Sequence, residues 1–548
     1  MDSIRDYHNE TKHHFGRYAR SLGYLDWANQ PHPFRVYLEA EKAALMRVFS
    51  DSGISYQSLY INDEPSQVID LESISRFLRF SLGISAWKEY QGSRWALRVN
   101  PSSGNLHPTE AYLVGQLGLD AENRPGVWHY RPDTHELERR ADFPDEIRGR
   151  IVLPGNNDSS GFLVGISSIV WREAWKYGER AFRYCQHDTG HAIAALRLAA
   201  SLLGWKFELL PDWSDEAIAA ICGLHRSEDF ISEEREVPEA LAIVYPNGGT
   251  RPSAVAPSEE LIGQIKRLDW RGKANRLSRE HEPWPIIDEA IVVAEKDGPS
   301  DSDLPRSAVA MSGGQYSYDS EVSAEQILLQ RRSAQAFDPE ARMTRDAFTN
   351  MMMRVMPGGG APWDSLRWPA HISLLVFVHQ VEGVPPGLYM LIRNPEHMRQ
   401  LQSACSHEFP WEKADLNDAV SLYLLQGGDA RVAATLVSCR QEIAGDSCFS
   451  IGMIADFEAG LKKYGDWFYR CLFWESGVIG QVLYLEAEAN QCRGTGIGCY
   501  FDDAVHQLMG LADSSWQSLY HFTVGVPIID QRLTTEPGYP EESENRSD

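Results

Sequence analysis

No CxxC pair occurs anywhere in this chain of 548 residues, and its eight cysteines, at 185, 222, 405, 439, 448, 471, 492 and 499, are scattered. That spacing makes no zinc finger, and so few thiols in so long a chain make no disulfide framework. Long apolar runs are missing too. The longest, Gly161 to Trp171, falls short of the roughly 20 residues a bilayer-spanning helix needs. Met1 to Gly23 is polar and charged, without the apolar core of a secretory signal, so a cytoplasmic protein with no membrane partner is expected. Positive charge is in deficit: 52 Lys+Arg stand against 77 Asp+Glu, a formal net charge of −25. Such a surface is not drawn to a nucleic-acid backbone or an anionic bilayer, so neither is expected as a partner, though a local basic pocket stays open.

What is present is ordinary for a folded chain: 43% apolar and 24% charged residues, which excludes a disordered or collagen-like protein. Leu71, Ile74, Phe77, Leu78 and Leu82 recur with helical period from Asp70 to Gly83. Ala111 to Val114 reads as a strand, Gly126 to Leu137 as a hairpin turning at Pro132-Asp133, and Ala240 to Tyr245 as a buried strand. Tyr177 to Leu203 has the period of one long helix, and Ser214 to Cys222 of a shorter one stopped by Gly223. Residues 1–60 read as an N-terminal extension. Residues 251–322, rich in Pro, Ser, Gly and charge, read as a linker, and residues 536–548, which include the polar stretch that begins at Pro537, as a disordered tail.

The chain repeats itself. KYGERAFRYCQHDTGHAIAALRLAA from Lys176 aligns with KYGDWFYRCLFWESGVIGQVLYLEA from Lys463, an offset of 287 that also pairs residues 214–224 with 501–511. Arg183/Arg470, Gly190/Gly477 and Asp215/Asp502 are among the identities. Upstream, an offset of 261 pairs GVWHYRPDTHEL with GLYMLIRNPEHM. Two related domains, 61–250 and 323–535, are therefore expected to dock as a pseudo-two-fold pair, keeping an isologous interface.

The copies differ where chemistry would sit. The first has NPSSGNLHPTEAY from Asn100; the matching PWDSLRWPAHIS keeps both prolines and loses the Ser-Ser-Gly-Asn set. The second opens with a helix capped at Ser323 that runs into Arg331-Arg332-Ser333, and it alone carries the run Gly494 to Gly498, where the first has Lys206 to Leu210. Arginines and short hydroxyl donors suit a phosphate, although each motif alone also describes a solvated helix end or a plain turn. The GTGIG run has no strand leading into it, so the dinucleotide fingerprint is not met. His187 and His191 stand four apart on one helix with no third ligand evident, so no metal is expected.

In combination, RRSAQAF, the PSSGN loop before an apolar strand, and the glycine run before FDDAV resemble the FMN-dependent nitroreductase superfamily. WKYGERAFRYCQHDTGHA, NPSSGNLHPTEAY, the GVWHY…HEL hairpin and VGVPIIDQRLTT resemble its SagB/ThcOx-type dehydrogenases over about residues 70–250 and 320–535. The resemblance implies an α+β fold, a mixed sheet flanked by helices, here as two fused copies forming an intramolecular pseudo-dimer with FMN at the interface. It implies that the second copy gives Arg331, Arg332, Ser333 and the Gly496-Ile497-Gly498 edge. Pro101, Ser102, Ser103 and Asn105 would come from the first copy. Arg532 reads either as a further phosphate contact or, the commoner case, as an exposed C-terminal arginine. The other half-site lacks both motifs, so one FMN per chain is expected. A Lys-Tyr pair implicated in catalysis in azoline-oxidising members occurs twice; Lys176-Tyr177 is expected at the intact site, and Lys463-Tyr464 away from it. The implied reaction is dehydrogenation of an azoline to an azole in a peptide or natural product, Lys176 taking the proton and Tyr177 orienting it. Alternatives are an NAD(P)H-dependent nitro- or quinone reductase, and a pseudo-enzyme that clamps a peptide or partner enzyme. Partners follow: a small-molecule or peptide substrate, with room for a biosynthetic partner enzyme and further oligomerisation.

Overall fold

The computed structural model describes residues 1–61, 63–119, 124–151, 161–298 and 322–539. Two seven-stranded sheets dominate it. The first uses β1 (Glu41–Ala44), β2 (Thr109–Gly115), β3 (Gly126–Arg131), β4 (Glu136–Asp142), β5 (Phe162–Ser168), β6 (Trp205–Leu209) and β7 (Val237–Pro246), in the order β1-β4-β3-β2-β5-β7-β6. The second uses β8 (Ile372–Val378), β9 (Gly387–Leu391), β10 (Glu412–Lys413), β11 (Leu422–Gly427), β12 (Phe449–Asp456), β13 (Arg493–Ile497) and β14 (Trp516–Gly525), in the order β10-β11-β9-β8-β12-β14-β13. Six strands follow one order in both sheets, β4-β3-β2-β5-β7-β6 and β11-β9-β8-β12-β14-β13, as a duplication requires, while the outer strands β1 and β10 come from different places in the chain. The architecture is α+β. Every ladder in the two sheets is antiparallel, and among the described residues parallel pairing is confined to single bridges at Ser333–Gly494 and Met343–Val381. The central strands β2, β5, β8 and β12 are buried along nearly their whole length, and so read as apolar runs rather than alternating ones.

The expected helix from Tyr177 to Leu203 is α2 (Ala181–Leu202), and Tyr177 instead ends a preceding helix, α1 (Val170–Tyr177). The break is at Gly178, whose φ of +56° and closeness to the Arg20 carbonyl leave no room for a side chain. The second copy breaks at the equivalent Gly465, φ +93°, between α3 (Phe457–Tyr464) and α4 (Phe468–Ala489). α2 and α4 are buried almost throughout and pack on one another between the sheets. They meet at equivalent residues: a Cβ on Gly190 would lie 2.9 Å from the Gly477 Cα, and one on Gly477 would lie 2.8 Å from the Gly190 Cα. Two equivalent buried ion pairs flank this crossing, Arg183 to Asp502 and Arg470 to Asp215, each with a 2.8 Å contact. Contacts of residue i with j and j′ with i′ are the signature of an isologous interface, here inside one chain.

The N-terminal extension packs on both copies: it donates β1 to the first sheet, and its Lys12 and His13 reach Asp503 and Asp502 of the second copy. Two sequence readings change. The stretch read as a linker folds, over its described part, into helices Glu259–Lys266 and Pro285–Val293; the remainder, 299–321, lies outside the described residues. The stretch read as a disordered tail begins as a strand, Thr534–Pro537, paired with Ile84–Tyr90 of the first copy. Tyr539 is buried beyond it and donates to the Pro132 carbonyl, because the open edge of a first-copy hairpin offers backbone partners that water would otherwise fill. Residues 540–548 lie outside the described residues.

Candidate functional site

A cleft of about 690 Å³ opens where the two copies meet. Its second-copy wall begins where helix Ala324–Gln330, N-capped by Ser323, ends at Arg331. The chain then runs beside strand β13, the edge of its sheet, and the Ala334 N–H donates to the Gly494 carbonyl (3.1 Å). Tyr484 of α4 ties the two together: its hydroxyl lies 2.9 Å from Ser333 Oγ and accepts from the Gly496 N–H at 2.9 Å. Of the glycine-run residues, Gly496 is thus already engaged as a donor. The glycines are spatial necessities, since a Cβ at 496 would run into the Tyr520 hydroxyl and one at 498 into the Tyr184 ring.

The first-copy wall is the loop Pro101–Asn105. Gly104 and Asn105 take positive φ, +58° and +59°. The loop's donors are largely committed: the Ser103 N–H and Oγ donate to Asp188 of α2 at 3.0 and 3.2 Å, and the Asn105 amide donates to the Ala96 carbonyl at 2.9 Å. Lys176 and Tyr177, half-buried at the end of α1, close on this loop: a Cβ on Gly104 would sit 2.6 Å from the Tyr177 hydroxyl and 3.0 Å from Lys176 Nζ. The equivalent Tyr464 is instead buried against Phe468 and His371, away from the cleft.

The cleft is cationic at one end, where Lys88, Arg331, Arg332 and Arg493 converge. The Arg331 guanidinium donates across the interface to the Val99 and Arg98 carbonyls, at 3.1 and 3.0 Å, and lies over the Tyr484 ring. Burial, with Arg331 beside it, pulls Arg332 down to about 9, and burial with Arg332 and Arg493 lowers Lys88. Cations pushed toward losing their protons describe a place that an anion would relieve. Arg532 stands apart from the cleft lining: its side chain is 72% exposed and bonded to Asp530 at 2.9 and 2.8 Å. A carboxylate two residues away captures it before it can reach inward. His187 and His191 are hydrogen-bonded to the Leu519 carbonyl and the Tyr520 hydroxyl. Lys88, Arg493, Tyr484 and Asp188 join the site without having been singled out by sequence, although Asp188 and Tyr484 lie in the two aligned segments that begin at Lys176 and Lys463.

The symmetry-related place is filled. Leu209, Leu210 and Pro211 stand there for Gly496, Ile497 and Gly498, and Trp368, Trp467 and Trp474 pack in behind them, leaving a cavity of about 30 Å³. Trp368 comes from the stretch matching the Ser-Ser-Gly-Asn loop and meets the Trp474 ring at 6.3 Å. Bulk replaced the donors and the space together.

Comparison with known proteins agrees with this architecture. A protein from Anabaena variabilis, described as a nitroreductase, superposes over 96% of this chain and 100% of its own at a TM-score of 0.67 and 20% identity. A protein of Methanocaldococcus jannaschii named as a nitroreductase is 25% identical over 146 residues, 25% of this chain and 67% of its own. The Nitroreductase family matches residues 328–526, which contain Arg331, Ser333 and the whole second sheet. Residues 328–526 thus match the Nitroreductase family, within a molecule whose two halves together share their fold with a structure described as a nitroreductase.

Proposed function

We propose that the protein is an FMN-dependent oxidoreductase that holds one FMN per chain between its two copies and dehydrogenates a heterocycle, azoline to azole, in a peptide or natural product. The observation that carries this reading is the asymmetry of the two half-sites: one cleft of about 690 Å³ with complementary motifs from both copies, and one remnant of about 30 Å³ packed with tryptophan. The residues present fit the group. The cleft of about 690 Å³, bordered by Gly104, Gly496 and Gly498, lies beside a basic cluster matched to a phosphate. In this reading Arg331, Arg332 and Ser333, aided by Arg493, hold the phosphate end. Pro101, Ser102, Ser103 and Asn105 close the other side, and the backbone from Gly496 through Ile497 to Gly498 borders the ring. FMN bound there supplies a two-electron acceptor for a substrate hydride.

The chain's own contribution is to the proton. Lys176 Nζ and the Tyr177 hydroxyl meet at Gly104, so an acidic substrate proton in the cleft has a base and an orienting hydroxyl beside it. That arrangement favours dehydrogenation over NAD(P)H-driven nitro reduction, which asks no protein base to ionise the substrate. Purified protein is expected to release close to one FMN per chain on denaturation and to oxidise an azoline faster than it turns over NADPH with a nitroarene. Two flavins per chain would overturn the single-site reading, and the opposite order of rates the dehydrogenase reading.

Arg331→Ala is expected to weaken FMN binding by about 1.5–3 kcal/mol, the range of a charge-assisted hydrogen bond, or roughly 10- to 150-fold in Kd. Titration of the flavin-free protein measures it. An unchanged Kd would remove Arg331 from the phosphate site.

A further inference from the structure

Two cysteines line the cleft, and the reading above leaves them idle. Cys439 and Cys499 are half-buried, whereas the other six cysteines are buried. Cys499 follows Gly498 directly after β13, and Cys439 sits in the turn after helix Arg431–Val437. Two hydrogen bonds, one on either side of Cys439, clamp that turn to the chain around Cys499. The Phe501 N–H donates to the Val437 carbonyl at 2.8 Å, and the Gln441 side-chain amide donates to the Cys499 carbonyl at 3.0 Å. Within the clamp Cys439 and Arg440 both take the left-handed region, φ +52° and +60°. That conformation costs free energy in residues other than glycine and persists where the surroundings impose it. The clamp brings the two thiols into a hydrogen bond with one another. His13 of the N-terminal extension reaches the same Cys499 sulfur. Its Nδ1 accepts the Ala19 N–H at 2.9 Å and burial keeps the ring neutral, so Nε2 carries the proton and donates to Cys499. The Arg180 guanidinium stands close by, 3.4 Å from the Gly498 carbonyl.

We infer that Cys499 and Cys439 form a redox-active dithiol site in the cleft wall, Cys499 as the nucleophile and Cys439 as the resolving thiol, with a hydroperoxide as the oxidant. The Cys499 thiolate attacks one oxygen of the peroxide. The O–O bond breaks, the other oxygen leaves and takes a proton from water, and the sulfur, giving up two electrons, becomes a sulfenic acid. The Cys439 sulfur then displaces that hydroxyl: the S–S bond forms, the S–O bond breaks, and the hydroxyl leaves with the Cys439 proton as water. Half-burial admits an oxidant as small as hydrogen peroxide. The surroundings assign the two roles. The hydrogen bond from Cys439, joined by that from His13 and the field of Arg180, outweighs burial and holds the Cys499 thiol well below its ordinary range, and the thiolate is the reactive form. The same bond and burial push Cys439 up. The six buried thiols are all raised, chiefly by burial. An accessible, acidic thiol beside a second thiol is the combination that oxidises reversibly to a disulfide, before the irreversible sulfinic stage.

One equivalent of hydrogen peroxide, added to the purified and reduced protein, is expected to consume these two thiols and spare the six buried ones, which serve as an internal control. Mass spectrometry after alkylation and digestion should show a peptide cross-linked through Cys439 and Cys499 that dithiothreitol separates. Cys439→Ser removes the resolving thiol, so Cys499 should stop at the sulfenic acid and be captured by dimedone. Cys499→Ser should lose the reaction and leave Cys439 reduced. A wild-type chain that keeps both thiols, or that oxidises its buried cysteines as readily, would overturn the site, as would a Cys499→Ser chain oxidised at Cys439 at the wild-type rate. The wild-type protein decides the matter alone, so a variant that fails to fold leaves the test intact. The readout is thiol mass and not turnover, so a chain that oxidises no azoline would defeat the dehydrogenase reading without touching this one.

Discussion

Lys176→Ala is expected to lower azoline turnover on the order of 10²–10⁴-fold, the range of a lost general base, while leaving FMN bound. The argument is positional. Lys176 Nζ sits 3.0 Å from where a Gly104 Cβ would be, at the end of α1 and against the loop of the intact half-site. It is the same residue of the repeat as Lys463, so the pair is an internal control: one ancestral position, two environments. Lys463 lies over the Tyr464 ring at 4.8 Å, and Tyr464 packs on Phe468 at 4.4 Å, remote from the cleft. Lys463→Ala should therefore leave kcat and KM near wild type. Steady-state kinetics of both variants, with their flavin content, decide it. Full activity in Lys176→Ala, or its loss in Lys463→Ala, would reverse the assignment of the two copies.

Asp502→Ala is expected to destabilise the fold by about 3–5 kcal/mol, as when one partner of a buried ion pair is removed. Asp502 is fully buried and receives Arg183 at 2.8 Å and Arg180 at 3.1 Å, together with the His13 N–H at 2.9 Å. Burial alone would raise its carboxyl; the two guanidinium groups outweigh burial and hold it far below the ordinary range, so the pair stays charged through any working pH. Removing it strands two buried cations at once. A depressed carboxylate contributes stability above its unfolded pKa and loses it only as pH falls through the folded one, so the wild-type pair should persist into strong acid. Urea unfolding followed by fluorescence measures the difference; a loss below about 1 kcal/mol, the scale of an exposed pair, would mean that the interface does not rest on it. The counterpart Asp215, half of the equivalent pair with Arg470, has a single arginine within 3.5 Å and should cost less when replaced.

How much was legible in the sequence depends on the kind of information. The hairpin 126–137 was readable because Pro132-Asp133 interrupts two runs of strand-forming residues, and β3 and β4 lie there. The duplication was readable because aligned identities persist along the chain, and the same identities, Gly190/Gly477 and Arg183/Arg470, turn out to build the interface. The break at Gly178 was not, since helical period runs through it and only the approach of the Arg20 carbonyl explains the glycine. Nor was β13, because a glycine run carries no strand signal of its own and becomes a strand by pairing with β14.

By itself, the sequence determined that two related copies share one chain and that their motifs are complementary rather than equal, because both facts are carried by residue order. Only the tertiary structure decided that Arg331 reaches the Val99 carbonyl, that Trp368 and Trp474 fill the second half-site, that the segment after Leu533 pairs with the first copy, and that Asp188 accepts the Ser103 N–H. Each joins different secondary elements, most of them far apart in the chain. Periodicity reports which face of an element is buried, but what that face meets depends on how the copies dock, and docking is set by the summed packing of both halves rather than by any local pattern.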